Sequence, residues 1–300
     1  MPKTALNLAP RVIVDKRDGV PHACTLHVVS KGQPLPASFV NLATVDRGPG
    51  VKASREIVRL VGGCKGMDPQ VIKSMPSFFI DAFRRVETTG RFFKSTKTVA
   101  EFSGTAFSGG TAKLNGNGVV QDDMVTNLTA VLAHAYPCIA MSTTPRTSEM
   151  ALDGQTGGLI VSAYGDRIDF RQHAAVVYQQ DPAEVLDWDG DVELYLTMME
   201  GYKMVGFNTA IVALNGGAIT RNEIYGALRR QIPVIAIEGT LRETDAFCKA
   251  YRGDWSATDP KVVDDCKAVL ENTPVSLIRI VQMGDVEGLR SALTSLGFLK

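Results

Sequence analysis

Three hundred residues, 45% hydrophobic and 21% charged, fit a soluble globular chain of one large domain or two small ones. Lys and Arg together number 32, as do Asp and Glu; zero net charge argues against a general nucleic-acid binder, which needs concentrated positive charge to hold the phosphate backbone. Five scattered cysteines without C-x-x-C spacing indicate neither a disulfide framework nor a zinc site, and with no bilayer-spanning window and no leader-like segment the expected address is the cytosol, with no membrane partner.

Residues 1–54 read as an N-terminal β-rich extension, with β-like runs at Arg11 to Val14, Thr25 to Val29 and Phe39 to Ala43 and turn residues at Gly48-Pro49-Gly50. His22 and His27 flank Cys24 there, but a metal site wants a fourth ligand and the sequence offers none. From Arg55 onward a rhythm of strand, glycine loop and helix takes over. Glu56 to Val61 is a strand that meets Gly62-Gly63-Cys64-Lys65-Gly66, and Pro69 opens a helix whose Val71, Met75, Phe78, Phe79 and Ala82 recur at helical intervals. Thr98 to Phe107 is the next extended segment, ending in Ser108-Gly109-Gly110-Thr111. A helix through Val125, Leu128, Val131 and Leu132 follows, then a strand from Pro137 to Met141 that leads toward Arg146. Leu159 to Tyr164 fits a hairpin or insertion over the sheet edge, Ala174 to Tyr178 a buried strand, and Asp187 to Asp191 a solvated acidic loop that lacks the ligand pattern of an EF-hand. Glu193 to Met204 forms a helix.

Thr209 to Asp245 is the stretch around which the chain is organised. Ala210 to Leu214 is a continuous apolar run that stops at Asn215-Gly216-Gly217, as a strand buried on both faces does. Thr220 and Glu223 have capping-box spacing and predict a helix starting at Thr220. Gln231-Ile232-Pro233 ends it, and Val234 to Ile237 is a second buried strand running into Glu238-Gly239-Thr240. Such a βαβ unit puts both glycine loops at one carboxyl edge, where open α/β sheets bind ligands. Beyond it the sequence predicts helices at Ala246 to Tyr251, Pro260 to Leu270 and Val286 to Leu296, and a last strand at Val275 to Val281. Six or seven strands alternating with helices indicate an α/β, Rossmann-like, doubly wound and mostly parallel sheet. No G-x-x-x-x-G-K-[ST] and no G-x-G-x-x-G with an acidic partner is present, so neither a P-loop nor an ordinary NAD fingerprint is supported.

The succession Val61-Gly62-Gly63, Ser108-Gly109-Gly110-Thr111, Gly216-Gly217-Ala218-Ile219-Thr220-Arg221-Asn222-Glu223 and Glu238-Gly239-Thr240-Leu241-Arg242-Glu243-Thr244-Asp245 resembles the SLOG superfamily over about residues 55–300. That group joins the Lonely Guy phosphoribohydrolases, often mislabelled lysine decarboxylases, to the ligand-sensing domains of TRPM channels, whose branch this chain matches better. The resemblance implies a nucleotide-derived ligand at Gly62, Gly63, Gly109, Gly110, Thr111, Gly216, Gly217, Thr220, Glu223, Gly239, Thr240 and Arg242. Lys65 and Arg146 are further candidates to bring positive charge to that edge, and a guanidinium such as that of Arg242 matches phosphate oxygens. The hydrolase branch reads P-G-G-x-G-T-x-x-E; here Asn215 stands in place of the proline and Ile219 in place of the third glycine, while Thr220 and Glu223 are kept.

Three functions fit these residues. The first is sensing of an ADP-ribose-like or cyclic nucleotide, with the signal passed to a protein effector or through a homo-oligomer. The second is an N-glycoside hydrolase with Glu223 as its catalytic carboxylate. The third is a structural or assembly protein on a degenerate Rossmann-like fold. No metal or other cofactor is called for.

Overall fold

A computed structural model describes residues 11–15, 22–30, 37–91, 94–108, 113–114, 120–121, 124–142, 159–162, 174–179 and 188–300. In chain order these form β1 (Arg11–Asp15), β2 (His22–Ser30), α1 (Ala37–Leu42), β3 (Glu56–Gly62), α2 (Pro69–Ala82), β4 (Arg84–Arg91), β5 (Lys94–Glu101), β6 (Thr105–Ser108), β7 (Lys113–Leu114), β8 (Val120–Gln121), α3 (Met124–Ala135) and β9 (Ile139–Ser142). There follow β10 (Leu159–Ser162), β11 (Ala174–Gln179), α4 (Trp188–Met204), β12 (Asn208–Leu214), α5 (Ala218–Arg229), β13 (Val234–Glu238), α6 (Arg242–Tyr251), α7 (Val263–Glu271), β14 (Ile278–Gln282) and α8 (Val286–Ser295).

The main sheet runs β1-β2-β11-β10-β9-β6-β3-β12-β13-β14. Every neighbouring pair is parallel except β1 with β2 at the edge. Parallel central strands are apolar on both faces because helices cover both. On one face Val58, Leu60, Ala106 and Val212 pack with Phe79 of α2, Leu128 of α3 and Leu293 of α8. On the other, Val61, Ile211, Ala213 and Ala236 meet Leu196 of α4, Ile224 of α5, Phe247 of α6 and Val269 of α7. The result is the Rossmann-like, doubly wound α/β sandwich that the alternation of elements predicts.

Several expectations need correction. Leu159–Ser162 is not part of a hairpin over the edge: β10 lies inside the sheet, parallel to β9 and to β11, while residues 163–164 lie outside the described residues. With β2 pairing in parallel to β11, the sheet has more strands than the six or seven counted. Phe39 to Ala43 belongs mainly to a helix, because Val40 and Ala43, one helical turn apart, are the residues that must be buried there. Thr98 to Phe107 is two elements. The chain leaves a separate antiparallel β4–β5 hairpin at Phe102, whose ring is buried edge-on against Phe83, and enters the sheet as β6. Residues 188–191 open α4 instead of forming an acidic loop; acidic side chains suit the first turn of a helix as well as they suit a loop. The last strand begins at Ile278, after a 3-10 turn at Val275–Leu277, and a similar turn at Pro260–Val262 precedes α7. No described helix is long and apolar enough to cross a membrane.

Candidate functional site

From β3 the chain winds toward β6 on one side, while β12, β13 and β14 extend on the other, so the winding reverses between β3 and β12. At such a switch point the loops at the carboxyl edge diverge and leave a crevice. The two strands end in register, Leu214 beside Gly62, and Gly63 donates its N–H to Leu214 O at 3.2 Å. Gly62 has φ +133°, and a Cβ there would fall 1.7 Å from Leu214 O, so only glycine admits this close approach.

Asn215, fully buried and at φ 52°, is the tie that holds three loops together. Its Nδ2 donates to Lys65 O at 3.1 Å and to Thr240 O at 2.7 Å, and its Oδ1 accepts from Gly216 N at 2.7 Å. Its backbone N donates to Thr240 Oγ1 at 2.8 Å, and its carbonyl accepts from both the N and Oγ1 of Thr244. A short side-chain amide with one acceptor and two donors is the group that satisfies two carbonyls and an amide at once while tolerating a left-handed backbone.

Helix α5 starts two residues earlier than the Thr220/Glu223 spacing implies. Its N-cap is Gly217, no side chain caps it, and Thr220 lies in the first turn, facing Gly216 so closely that a Cβ on Gly216 would meet Thr220 Oγ1 at 2.1 Å. Ile219, the departure from the third glycine, is half-buried and packs against the apolar core under α5. The first N–H groups of α5 are therefore presented at the switch point.

Leu241 and Arg242 both have left-handed backbones, φ 72° and 58°, an arrangement that costs about 1–3 kcal/mol per residue and is concentrated at functional sites. The turn carries the Arg242 guanidinium back over α5: a Cβ on Gly217 would lie 3.2 Å from Arg242 Nη2. A cleft of 420 Å³ opens beside it, bordered by Leu241, Arg242, Glu243, Asp245, Lys249 and Ala257. Arg242 and Asp245 do not form the surface pair their spacing allows. Asp245 turns its carboxylate back to accept the N–H groups of Gly239 (2.8 Å), Thr240 (3.3 Å) and Leu241 (3.0 Å).

Glu223 lies away from the glycine edge. Its carboxylate accepts from Nε of Arg59 at 3.1 Å and from Nη2 of the same guanidinium, with side-chain exposures of 6% and 2%. Arg59, in the middle of β3, is stacked between the rings of Phe107 and Tyr195, 4.3 and 4.4 Å from their centroids. It stands three residues before Gly62, so the pair sits roughly 10 Å below the edge along the strand.

The structure thus brings Gly62, Gly63, Gly216, Gly217, Thr220, Gly239, Thr240 and Arg242 to one edge, with Lys65 exposed beside them, and sets Glu223 apart in the core. Gly109, Gly110, Thr111 and Arg146 lie outside the described residues. Reasoning from sequence missed Asn215 and Arg59. The second carried a signal, since an arginine inside the apolar run Ile57-Val58-Arg59-Leu60-Val61 requires a buried partner.

No protein-family model and no curated protein matches the chain. Among solved structures, the X-ray structure of TM1055, a structural-genomics target, is similar over 80% of this chain and 98% of that one, at 14% identity and a TM-score of 0.36. At that level the likeness says nothing about ligand or chemistry.

Proposed function

We propose that this chain is a SLOG-like, cytosolic module that binds a nucleotide-derived ligand, ADP-ribose-like or cyclic, through phosphate at the crevice between β3 and β12, and signals through an effector or by self-association. The observation that carries this reading is the Arg242 guanidinium lying over Gly217 at the uncapped start of α5. Backbone N–H groups, the positive end of a helix dipole and a guanidinium fork then converge on one point, the arrangement that favours a phosphate. Binding is favoured over hydrolysis because the carboxylate that N-glycoside cleavage needs is buried against Arg59.

A melting-temperature screen against nucleoside monophosphates, ADP-ribose, NAD and cyclic dinucleotides tests this. A ligand at about 100 times its dissociation constant adds roughly 2.7 kcal/mol of stability, a rise readily seen in a melt. Arg242→Ala should weaken the best ligand by about 10- to 100-fold, the range for a charged hydrogen-bond pair. Gly217→Ala should fold normally, since the nearest atom to its new methyl is the end of the flexible Arg242 side chain, yet should lose affinity as that guanidinium is displaced. If no nucleotide moves the melt, the reading fails and an assembly role takes its place; release of free base on binding would restore the hydrolase.

A further inference from the structure

We infer that β1 is a self-pairing edge through which two copies of this chain join as a two-fold dimer. The inference gives a surface to the self-association in the reading above and needs no ligand, so the two fail separately. An edge strand carries a row of backbone N–H and C=O groups that nothing within its own sheet pairs, and proteins commonly blunt it with charged residues. The two edges of this sheet differ in that respect. β14 holds Arg279 inside the strand, its guanidinium folded back on the chain's own carbonyls, with Nη1 donating to Ser276 O and Ile278 O at 2.9 Å. β1 reads Arg11-Val12-Ile13-Val14-Asp15, charged only at its ends, and among the described residues its sole strand neighbour is β2.

That five-residue strand is complementary to itself. Laid antiparallel to a second copy about Ile13, it sets Arg11 opposite the partner's Asp15, Val12 opposite the partner's Val14 and Ile13 opposite the partner's Ile13. Residues directly opposite share a face and interact, so the opposite charges and the β-branched pairs are all favourable, and the two-fold axis repeats every pair but the central one. Parallel pairing would instead set Arg11 against the partner's Arg11 and Asp15 against the partner's Asp15. A shift of the antiparallel register by one residue would leave both charges without their opposites. Partner, orientation and register are thus all selected by charge: the occupant of this edge is another copy of the chain.

The test is sedimentation of the full chain without ligand, over a wide range of protein concentrations, for the native protein, Arg11→Asp, Asp15→Arg and an equimolar mixture of the two variants. The native chain should form a dimer. Each variant alone puts like charges opposite each other twice across the axis, and should weaken that dimer about tenfold or more. The mixture should recover the native affinity to within about threefold, because the two acids of one variant then face the two bases of the other. Neither damage to the fold nor an interface elsewhere produces that recovery, and far-UV circular dichroism checks that each variant folds. A native chain that stays monomeric throughout overturns the inference. So does a dimer that neither variant weakens, which lies on another surface, and so does a loss that mixing fails to restore. All three outcomes leave the phosphate reading standing, since no nucleotide is present.

Discussion

Glu223→Ala should lower the folding stability by about 3–5 kcal/mol, the penalty for leaving one member of a buried ion pair without the other. Arg59 is 2% exposed, its Nε and Nη2 donate to Glu223, and among the described residues its Nη1 has no hydrogen-bond partner. The rings of Phe107 and Tyr195 hold the guanidinium in place, so it cannot swing out to water without opening the packing between β3 and α4. Urea denaturation of Glu223→Ala, Arg59→Met and the double change Arg59→Met with Glu223→Leu gives the decisive comparison. Each single change should be strongly destabilising, whereas the double change should recover most of the loss, because a well-packed apolar pair can replace a buried ion pair at little or no net cost. A thioether between two rings is a favourable substitute for the stacked guanidinium. The hydrolase reading makes the opposite prediction: Glu223→Gln would be tolerated in the melt and would abolish release of base. A Glu223→Ala protein as stable as the native chain would show that the carboxylate is not structural, and would reopen catalysis at that position.

The contrast between Glu223 and the loops around it shows what a single sequence reveals. Strands β12 and β13 were readable to within two residues, because a parallel central strand is an unbroken apolar run and its end is punctuated by glycine. That the glycine loops share one carboxyl edge followed from the alternation of elements, whereas the switch point between β3 and β12 depends on strand order, which alternation does not give. Glu223 was misread because Thr220-x-x-Glu223 has the spacing of a cap, a local pattern, while the true partner Arg59 lies 164 residues away and is brought to it only by the pairing of β3 with β12. Arg242 was recognisable as a candidate, but the way it reaches α5 depends on left-handed backbones at two non-glycine residues, which no residue type advertises. Nor does the motif reveal that Asp245 turns back to accept the N–H groups of Gly239, Thr240 and Leu241.

Asn215→Asp should be destabilised by about 3–5 kcal/mol at neutral pH, and the loss should shrink on acidification. The substitution keeps the shape and the left-handed backbone at φ 52°, which aspartate tolerates, and keeps the acceptor for Gly216 N. It removes both donors, leaving the carbonyls of Lys65 and Thr240 facing a carboxylate in a fully buried position. Burial and two carbonyl dipoles favour the neutral acid, so the native-state pKa of the new aspartate is raised above its unfolded value of about 3.9. A carboxyl with a raised native pKa binds more protons folded than unfolded between those two values. The variant's stability relative to the native chain should therefore climb as the pH falls through the raised pKa toward about 4, where the protonated acid regains one donor, and level off below that. Asn215→Ala, with no titrating group at the site, should show a constant deficit across the same range. The two variants should also separate in ligand binding, since the tie sets the spacing between the Lys65, Gly216 and Thr240 loops: nucleotide affinity of Asn215→Asp should recover on acidification in step with its stability, and that of Asn215→Ala should not. A flat pH profile for Asn215→Asp would mean that the amide does not bridge the two carbonyls and that the three loops are held apart by other contacts.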